Sequence, residues 1–163
     1  MDSWRIYLQE ALSQLDFAKR SYTEFEQALS ENDTISVFYR LHHFIVHVAN
    51  LDKLLDTDIN STRNKLINGR IDLSNIDLKS IRRLRNHLEH FDERLDKWVS
   101  KHDGSAFFDM NVVTNASGFP KNIFLRALDG YTFKFYGEDY QLVEIHESLI
   151  VLEAKLLEHV KLG

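Results

Sequence analysis

The chain has 163 residues, of which 44% are hydrophobic and 28% are charged, with one proline and no cysteine. This composition predicts one folded domain and excludes intrinsic disorder, disulfides, thiolate zinc sites and cysteine nucleophiles. Twenty basic and 25 acidic side chains give a net charge of −5, so any contact with a nucleic acid would need a local basic patch.

Charged residues interrupt the beginning of the chain and every later apolar run. Asp2, Arg5, Glu10 and Asp16 break the apolar segment that a signal peptide needs. No apolar stretch reaches the length required to cross a bilayer. The sequence therefore predicts a cytoplasmic protein with no membrane contact.

Apolar residues recur at steps of three and four in three long segments, which is the spacing of amphipathic helices. The first predicted helix ends at Glu31-Asn32-Asp33, and the second begins at a cap, Asp33 or Thr34, and reaches Leu55. A connector with one helical turn near 62–67 follows, and a third long helix is predicted from about 77 to 101. Its apolar positions are Ile81, Leu84, Leu88, Phe91, Leu95 and Trp98.

The hydrophobic period changes from helical to alternating after Gly104. A first strand is predicted around 108–112. Segments 123–128 and 131–136 flank Asp129-Gly130, a dipeptide typical of a tight hairpin turn. A last helix is predicted from the spacing of Leu142, Ile145, Leu149, Leu152 and Leu156.

These elements predict a mainly α fold (α+β) in one domain over 1–163. The predicted architecture is an antiparallel bundle of about four helices, with a small three-stranded antiparallel β meander inserted before the last helix. The meander would occupy about 106–136.

Several classes of active site are excluded by their missing motifs. The sequence has no Gly-rich phosphate loop, no His-Glu-x-x-His, no calcium loop and no serine flanked by glycines in an elbow. No Glu lies three residues before any of the eight His, so a carboxylate-bridged diiron bundle is excluded as well.

The third predicted helix concentrates positive charge. From 79 to 101 there are seven Lys or Arg against four Asp or Glu, a net +3 in a chain of net −5. On a helical wheel, one flank carries Arg83, His87, His90 and Arg94. Histidine is the usual proton carrier near neutral pH, and arginine is the usual bidentate phosphate ligand, so this helix is the candidate for RNA chemistry.

Arg85-Asn86-x-x-x-His90 resembles the Arg-polar-x-His signature of the HEPN superfamily. These are small helical-bundle proteins that include metal-independent ribonucleases, toxins of toxin–antitoxin pairs and noncatalytic RNA-binding relatives. The resemblance implies that Arg85 binds phosphate, that Asn86 positions Arg85 or the backbone, and that His90 transfers protons. It also implies a homodimer, an RNA substrate, an antitoxin protein as partner and no cofactor.

Other basic residues of the helix are predicted to bind the substrate, namely Arg82, Arg83, His87 and Arg94. The choice of phosphate-binding arginine stays open, because Arg82 precedes His87, and Arg83 precedes His90, at spacings that the signature allows. Arg85 and His90 lie about 140° apart on one helix, too far round to reach one phosphate easily from a single protomer. A cleft between two symmetry-related helices would unite them, so the enzymatic hypothesis requires a dimer.

Three alternatives remain beside the ribonuclease hypothesis. The charges of this helix are equally typical of a solvated face whose residues pair at i,i+3 and i,i+4. The bundle would then be a noncatalytic dimeric interaction module or nucleotide-binding module. His43 and His47, one turn apart, could supply two metal ligands. The strand aromatics Tyr131, Phe133, Phe135 and Tyr136 either pack on the bundle or stack bases.

Overall fold

A computed structural model describes residues 3–55, 60–76, 79–101, 104, 108–121 and 123–161. The helices in these ranges are α1 (Ser3–Ser30), α2 (Thr34–Leu55), α3 (Thr62–Asn68), α4 (Lys79–Glu89), α5 (Phe91–Ser100) and α6 (Leu142–Lys161). The strands are β1 (Asn111–Val113), β2 (Arg126–Asp129), β3 (Thr132–Phe135) and β4 (Glu138–Gln141). The mainly helical fold with a small sheet before the last helix is confirmed.

The helices α1 and α2 form a long hairpin that supplies about half of the buried hydrophobic residues in the described ranges. Asn32 turns the chain with a φ of 58°, and Asp33 caps α2 by accepting the Ser36 amide at 3.1 Å, as predicted. The hydrogen bonds from Ser36 lower the pKa of Asp33. α6 packs against α1, and all five of its predicted apolar positions are buried.

The prediction of one long third helix is wrong, because α4 and α5 are separate helices joined at His90. His90 has a φ of −113° and a ψ of 35°, outside the helical range. The apolar spacing continues across the junction, so periodicity alone could not reveal it. Asp92 and Glu93 in the first turn of α5 are the signal for a new start, since acidic residues favour a helix N-terminus. The predicted start at 77 lies outside the described residues.

The sheet differs from the predicted three-stranded antiparallel meander. Its order is β1-β2-β3-β4, with β1 parallel to β2 and the other neighbours antiparallel. The segment between β1 and β2 crosses back, which makes the first pairing parallel. Three of the four residues of β4 are exposed, so this strand lacks the alternating pattern by which the others were predicted.

Two tight turns connect the antiparallel strands. The predicted hairpin is present, but Asp129 pairs with Thr132, so its loop is Gly130-Tyr131 rather than Asp129-Gly130. The next loop is Tyr136-Gly137, and both of its residues have positive φ, 51° and 82°. Positive φ at both positions is the requirement of a type I′ hairpin turn.

Replacing Gly137 with Ala is expected to lower the free energy of unfolding by about 1–2 kcal/mol, because an L side chain disfavours this φ. Urea denaturation measures the change. Gly118→Ala is the matched control, because an added Cβ there meets nothing within 4 Å and φ is not in the positive range. Equal stability of the two variants would show that the turn at 136–137 does not require glycine.

No helix in the described ranges combines the length and the apolar character needed to cross a membrane.

Candidate functional site

A buried carboxylate on α2 holds two of the predicted arginines of α4. The side chain of Asp52 is 1% exposed. It accepts hydrogen bonds from Nη2 of Arg82 at 3.2 Å and from Nη1 of Arg85 at 3.0 Å. Because a buried carboxylate is strongly destabilising unless it is paired, these contacts fix α4 against α2 and orient both guanidinium groups.

Arg85 is the more enclosed of the two arginines. Its side chain is 23% exposed, against 44% for Arg82. The Nε atom of Arg85 is buried and lies 3.5 Å from Oε2 of Glu89. The carboxylate of Glu89 is also ion-paired with Lys53. The hydrogen bond from Lys53 lowers the pKa of Glu89. A guanidinium has five N–H donors, so the bond to Asp52 leaves Arg85 donors for a phosphate.

Asn86 and His90 lie on the outer side of the α4–α5 junction. Both are exposed, and the His90 side chain is 47% exposed. The carbonyl of Asn86 accepts the amide of His90 at 3.2 Å. Nδ1 of His90 lies 3.2 Å from Oε1 of Glu93, which leaves Nε2 as the ring nitrogen for proton transfer.

Arg85 and His90 therefore lie on opposite borders of one exposed face. Arg85 contacts α2 through Asp52, whereas His90 contacts α5 through Glu93. Arg82 and Asn86 lie between them on the helical wheel. The described contacts do not join the two predicted catalytic residues within one chain.

The other flank of α4 packs on the sheet through His87. This side chain is buried, and its Nδ1 accepts a hydrogen bond from Nε of Arg94 at 3.3 Å. Its Nε2 lies 3.4 Å from Oε1 of Glu138, so the proton of the neutral ring is on Nε2 and points to that carboxylate. The rings around it are those of Phe135, Tyr136 and Tyr140.

Two residues predicted to bind substrate, His87 and Arg94, thus have partners inside the chain. Arg94 also lies over the ring of Tyr136, at 5.5 Å from its centroid. Arg83, on the same flank, is exposed. On this side of α4, Arg83 is the predicted RNA contact that solvent reaches most directly.

The stability of the protein is expected to fall as the pH drops below about 6.5, because burial lowers the pKa of His87 from 6.5 while Glu138 only partly opposes this. The unfolded chain then binds more protons than the folded one, so stabilisation present above pH 6.5 is lost on acidification. Thermal unfolding midpoints between about pH 5 and pH 7 measure this.

His87→Gln should flatten that pH dependence only in part. The remaining dependence comes from His42, His47 and His146, whose pKa values are also lowered by burial. An unchanged slope in this variant would contradict the assignment of a neutral, buried His87.

The two histidines considered as metal ligands have other contacts. Nδ1 of His47 lies 2.9 Å from Oε1 of Gln14, and the ring of His43 lies 4.3 Å from that of Tyr39. Among the residues that the structure describes, no group of three His, Cys, Asp or Glu side chains could hold a metal ion. The described residues therefore offer no third ligand for a metal site at His43 and His47.

The strand aromatics do not form a stacking surface. Phe133 and Phe135 are buried in the core, as the packing interpretation predicted. Tyr131 is 39% exposed and its hydroxyl lies 3.2 Å from Oε1 of Glu26. Tyr136 is half-buried beneath the guanidinium of Arg94. Tyr131 is therefore the one exposed ring among these four residues, and one ring is insufficient for the stacking of successive bases.

Asp52 is the site residue that sequence reasoning missed. It continues the apolar stripe of α2 formed by Leu41, Ile45, Val48 and Leu55, at the same steps of three and four. A carboxylate at a core position of a helix needs a buried cationic partner, and this was the available signal.

Comparison with known proteins returns no match: no protein-family model fits the sequence, and no curated protein or solved structure is significantly similar to it. The resemblance to the HEPN superfamily therefore rests on the residues of α4 and the α4–α5 junction alone.

Proposed function

We propose that the chain is an RNA-binding protein that cleaves RNA without a metal ion, through Arg85, Asn86 and His90. The observation that carries this proposal is the Asp52–Arg85 contact: a buried carboxylate holds a partly exposed guanidinium at one border of the face that carries exposed Asn86 and His90. An oriented cation beside an exposed imidazole is the minimum that metal-free phosphoryl transfer requires.

Two protomers are needed to complete such a site. Since the two residues lie on opposite borders of the exposed face, two α4 helices side by side would place Arg85 of one chain beside His90 of the other. A two-fold axis repeats this arrangement and gives two equivalent sites. The homodimer is therefore part of the proposed function.

In the proposed reaction, the 2′ oxygen of a ribose attacks the adjacent phosphorus and the bond to the 5′ oxygen breaks. The proton of the 2′-hydroxyl ends on the 5′ oxygen, carried by His90. Arg85 donates hydrogen bonds to the charged phosphoryl oxygens as negative charge develops on them. The products are a 2′,3′-cyclic phosphate and a 5′-hydroxyl.

Substrate binding involves two exposed arginines, Arg82 within this face and Arg83 on the flank next to His90. With a net charge of −5, the protein suits a short single-stranded segment better than a long duplex. A cytoplasmic site of action is part of the same proposal. A toxin or defence role, with an antitoxin protein as controlling partner, belongs to the same proposal.

The test is incubation of the purified protein with single-stranded RNA in excess chelator. We expect fragments that end in 2′,3′-cyclic phosphate. An oligonucleotide with one 2′-deoxyribose should resist cleavage at that linkage alone, because the attacking hydroxyl is missing there. Cleavage at the deoxy position, or none in any RNA, would refute the proposed reaction.

A second candidate function is a noncatalytic dimeric interaction module or nucleotide-binding module. It is favoured by the ion pairs that Arg82 and Arg85 make with the buried Asp52, since these contacts stabilise the bundle without any substrate. Binding of RNA without cleavage in the same assay would favour this alternative.

A further inference from the structure

A second candidate site lies away from α4, in a cleft of about 790 Å³ beside α1. Its volume is in the range of small-molecule sites, about 300–1,000 Å³. One wall is α1 from Trp4 to Phe17, a distance of about 20 Å at 1.5 Å per residue. The other wall contains Arg70, after α3, together with His159 and Val160 near the end of α6.

Four apolar side chains of the α1 wall form the apolar floor of the cleft, and polar residues of α1 such as Gln9 and Ser13 also line it. Trp4, Leu8, Leu12 and Phe17 succeed one another at steps of four or five residues on α1. Trp4 and Leu8 are buried, whereas Phe17 is 46% exposed at the far end. An elongated apolar ligand would cover these side chains in sequence and remove their remaining surface from water.

Charge is distributed unevenly along the cleft. Arg5 and Arg70 lie at the Trp4 end, where the guanidinium of Arg70 is 5.4 Å from the centre of the Trp4 ring. At the other end the charged lining residue is Asp16, which is ion-paired with Arg20 at 2.8 Å. The cationic end therefore complements an anionic head group, whereas the charge of Asp16 at the other end is already paired.

We propose that this cleft binds a single-chain amphipathic anion, a fatty-acid carboxylate. Its head group lies between Arg5 and Arg70, and its chain runs along α1 toward Phe17. This orientation pairs the anion with guanidinium donors and places the alkyl chain on the apolar floor. The lining residues belong to neither α4 nor α5, so the inference does not depend on RNA cleavage.

The chain offers its own reporter for this binding. Trp4 and Trp98 are its two tryptophans, so Trp98→Phe leaves Trp4 as the only indole. Titration with sodium laurate should change the Trp4 emission and saturate. Calorimetric titration of the unaltered protein gives the same affinity independently of the variant.

Three comparisons separate the proposed site from nonspecific binding. Affinity should rise about fourfold for each methylene added from octanoate through decanoate to laurate. Arg70→Gln should weaken laurate binding about tenfold, whereas Arg40→Gln, an arginine on α2 outside the cleft, should leave it unchanged. Dodecanol, which has the chain without the charge, should bind more weakly than laurate by a similar factor.

Absence of saturable laurate binding would overturn the proposal. Equal affinities for laurate and dodecanol, or equal losses in the two arginine variants, would also overturn it, because the head group would then not be recognised at Arg70. Circular dichroism of each variant establishes that the helices are retained.

Discussion

Replacing His90 with Ala is expected to reduce RNA cleavage in chelator by about 10²–10⁴-fold, the usual contribution of a proton-transferring side chain. The imidazole is exposed, and its described side-chain contact is with Glu93, so the free energy of unfolding should change by less than about 0.5 kcal/mol. A loss of activity without a loss of stability is the signature of a catalytic group.

His42→Ala is the matched control, because its imidazole lies on α2 rather than at the α4–α5 junction. Initial rates with a fluorescently labelled RNA, followed in chelator for all three proteins, measure the effect. Equal rates for the wild type and His90→Ala would remove His90 from the mechanism.

Replacing Asp52 with Ala is expected to lower the free energy of unfolding by about 2–3 kcal/mol, somewhat less than the loss of a partner from a fully buried pair. The loss of stability is large because Asp52 is buried and accepts hydrogen bonds from both Arg82 and Arg85. Without Asp52, the guanidinium of Arg85 would lose its partner in a site where the side chain is only 23% exposed. The loss is moderated because Arg82 can turn to solvent. Urea denaturation of both proteins measures the change.

Asp96→Ala is the control for that experiment, since it removes an exposed carboxylate from α5 and should cost less than about 0.5 kcal/mol. Under conditions where Asp52→Ala is fully folded, its RNA cleavage should still be reduced, because Arg85 has lost the contact that orients it. Wild-type stability in Asp52→Ala would show that the buried contact does not fix α4 to α2.

The sequence predicted the elements whose burial follows a simple period. The five apolar positions of α6 could be predicted, and the cap of α2 could be narrowed to Asp33 or Thr34, because side-chain spacing and cap chemistry are local. Apolar spacing could not reveal the junction at His90, because Leu88, Phe91 and Leu95 keep the helical period on both sides of it. The parallel pairing of β1 is a long-range property with no local signature.

The candidate site was predicted as a set of residue types but not as a set of contacts. The order of Arg85, Asn86 and His90 could be read from the chain, whereas the partner of Arg85 lies 33 residues earlier on another helix. His87 lies only three residues before His90 in the sequence, yet His87 is buried and packs against Phe135 and Tyr140, whereas His90 is exposed. Sequence spacing does not separate two such histidines, because their difference is tertiary.

Mixing two inactive variants tests most directly whether Arg85 and His90 of different chains form one site. Arg85→Ala and His90→Ala protomers are combined in equal amounts, exchanged under mild denaturation and assayed in chelator. Half of the dimers are then mixed and each has one intact site of two, so about a quarter of wild-type activity should return. No recovery in samples in which mixed dimers are demonstrated would contradict a site shared between protomers.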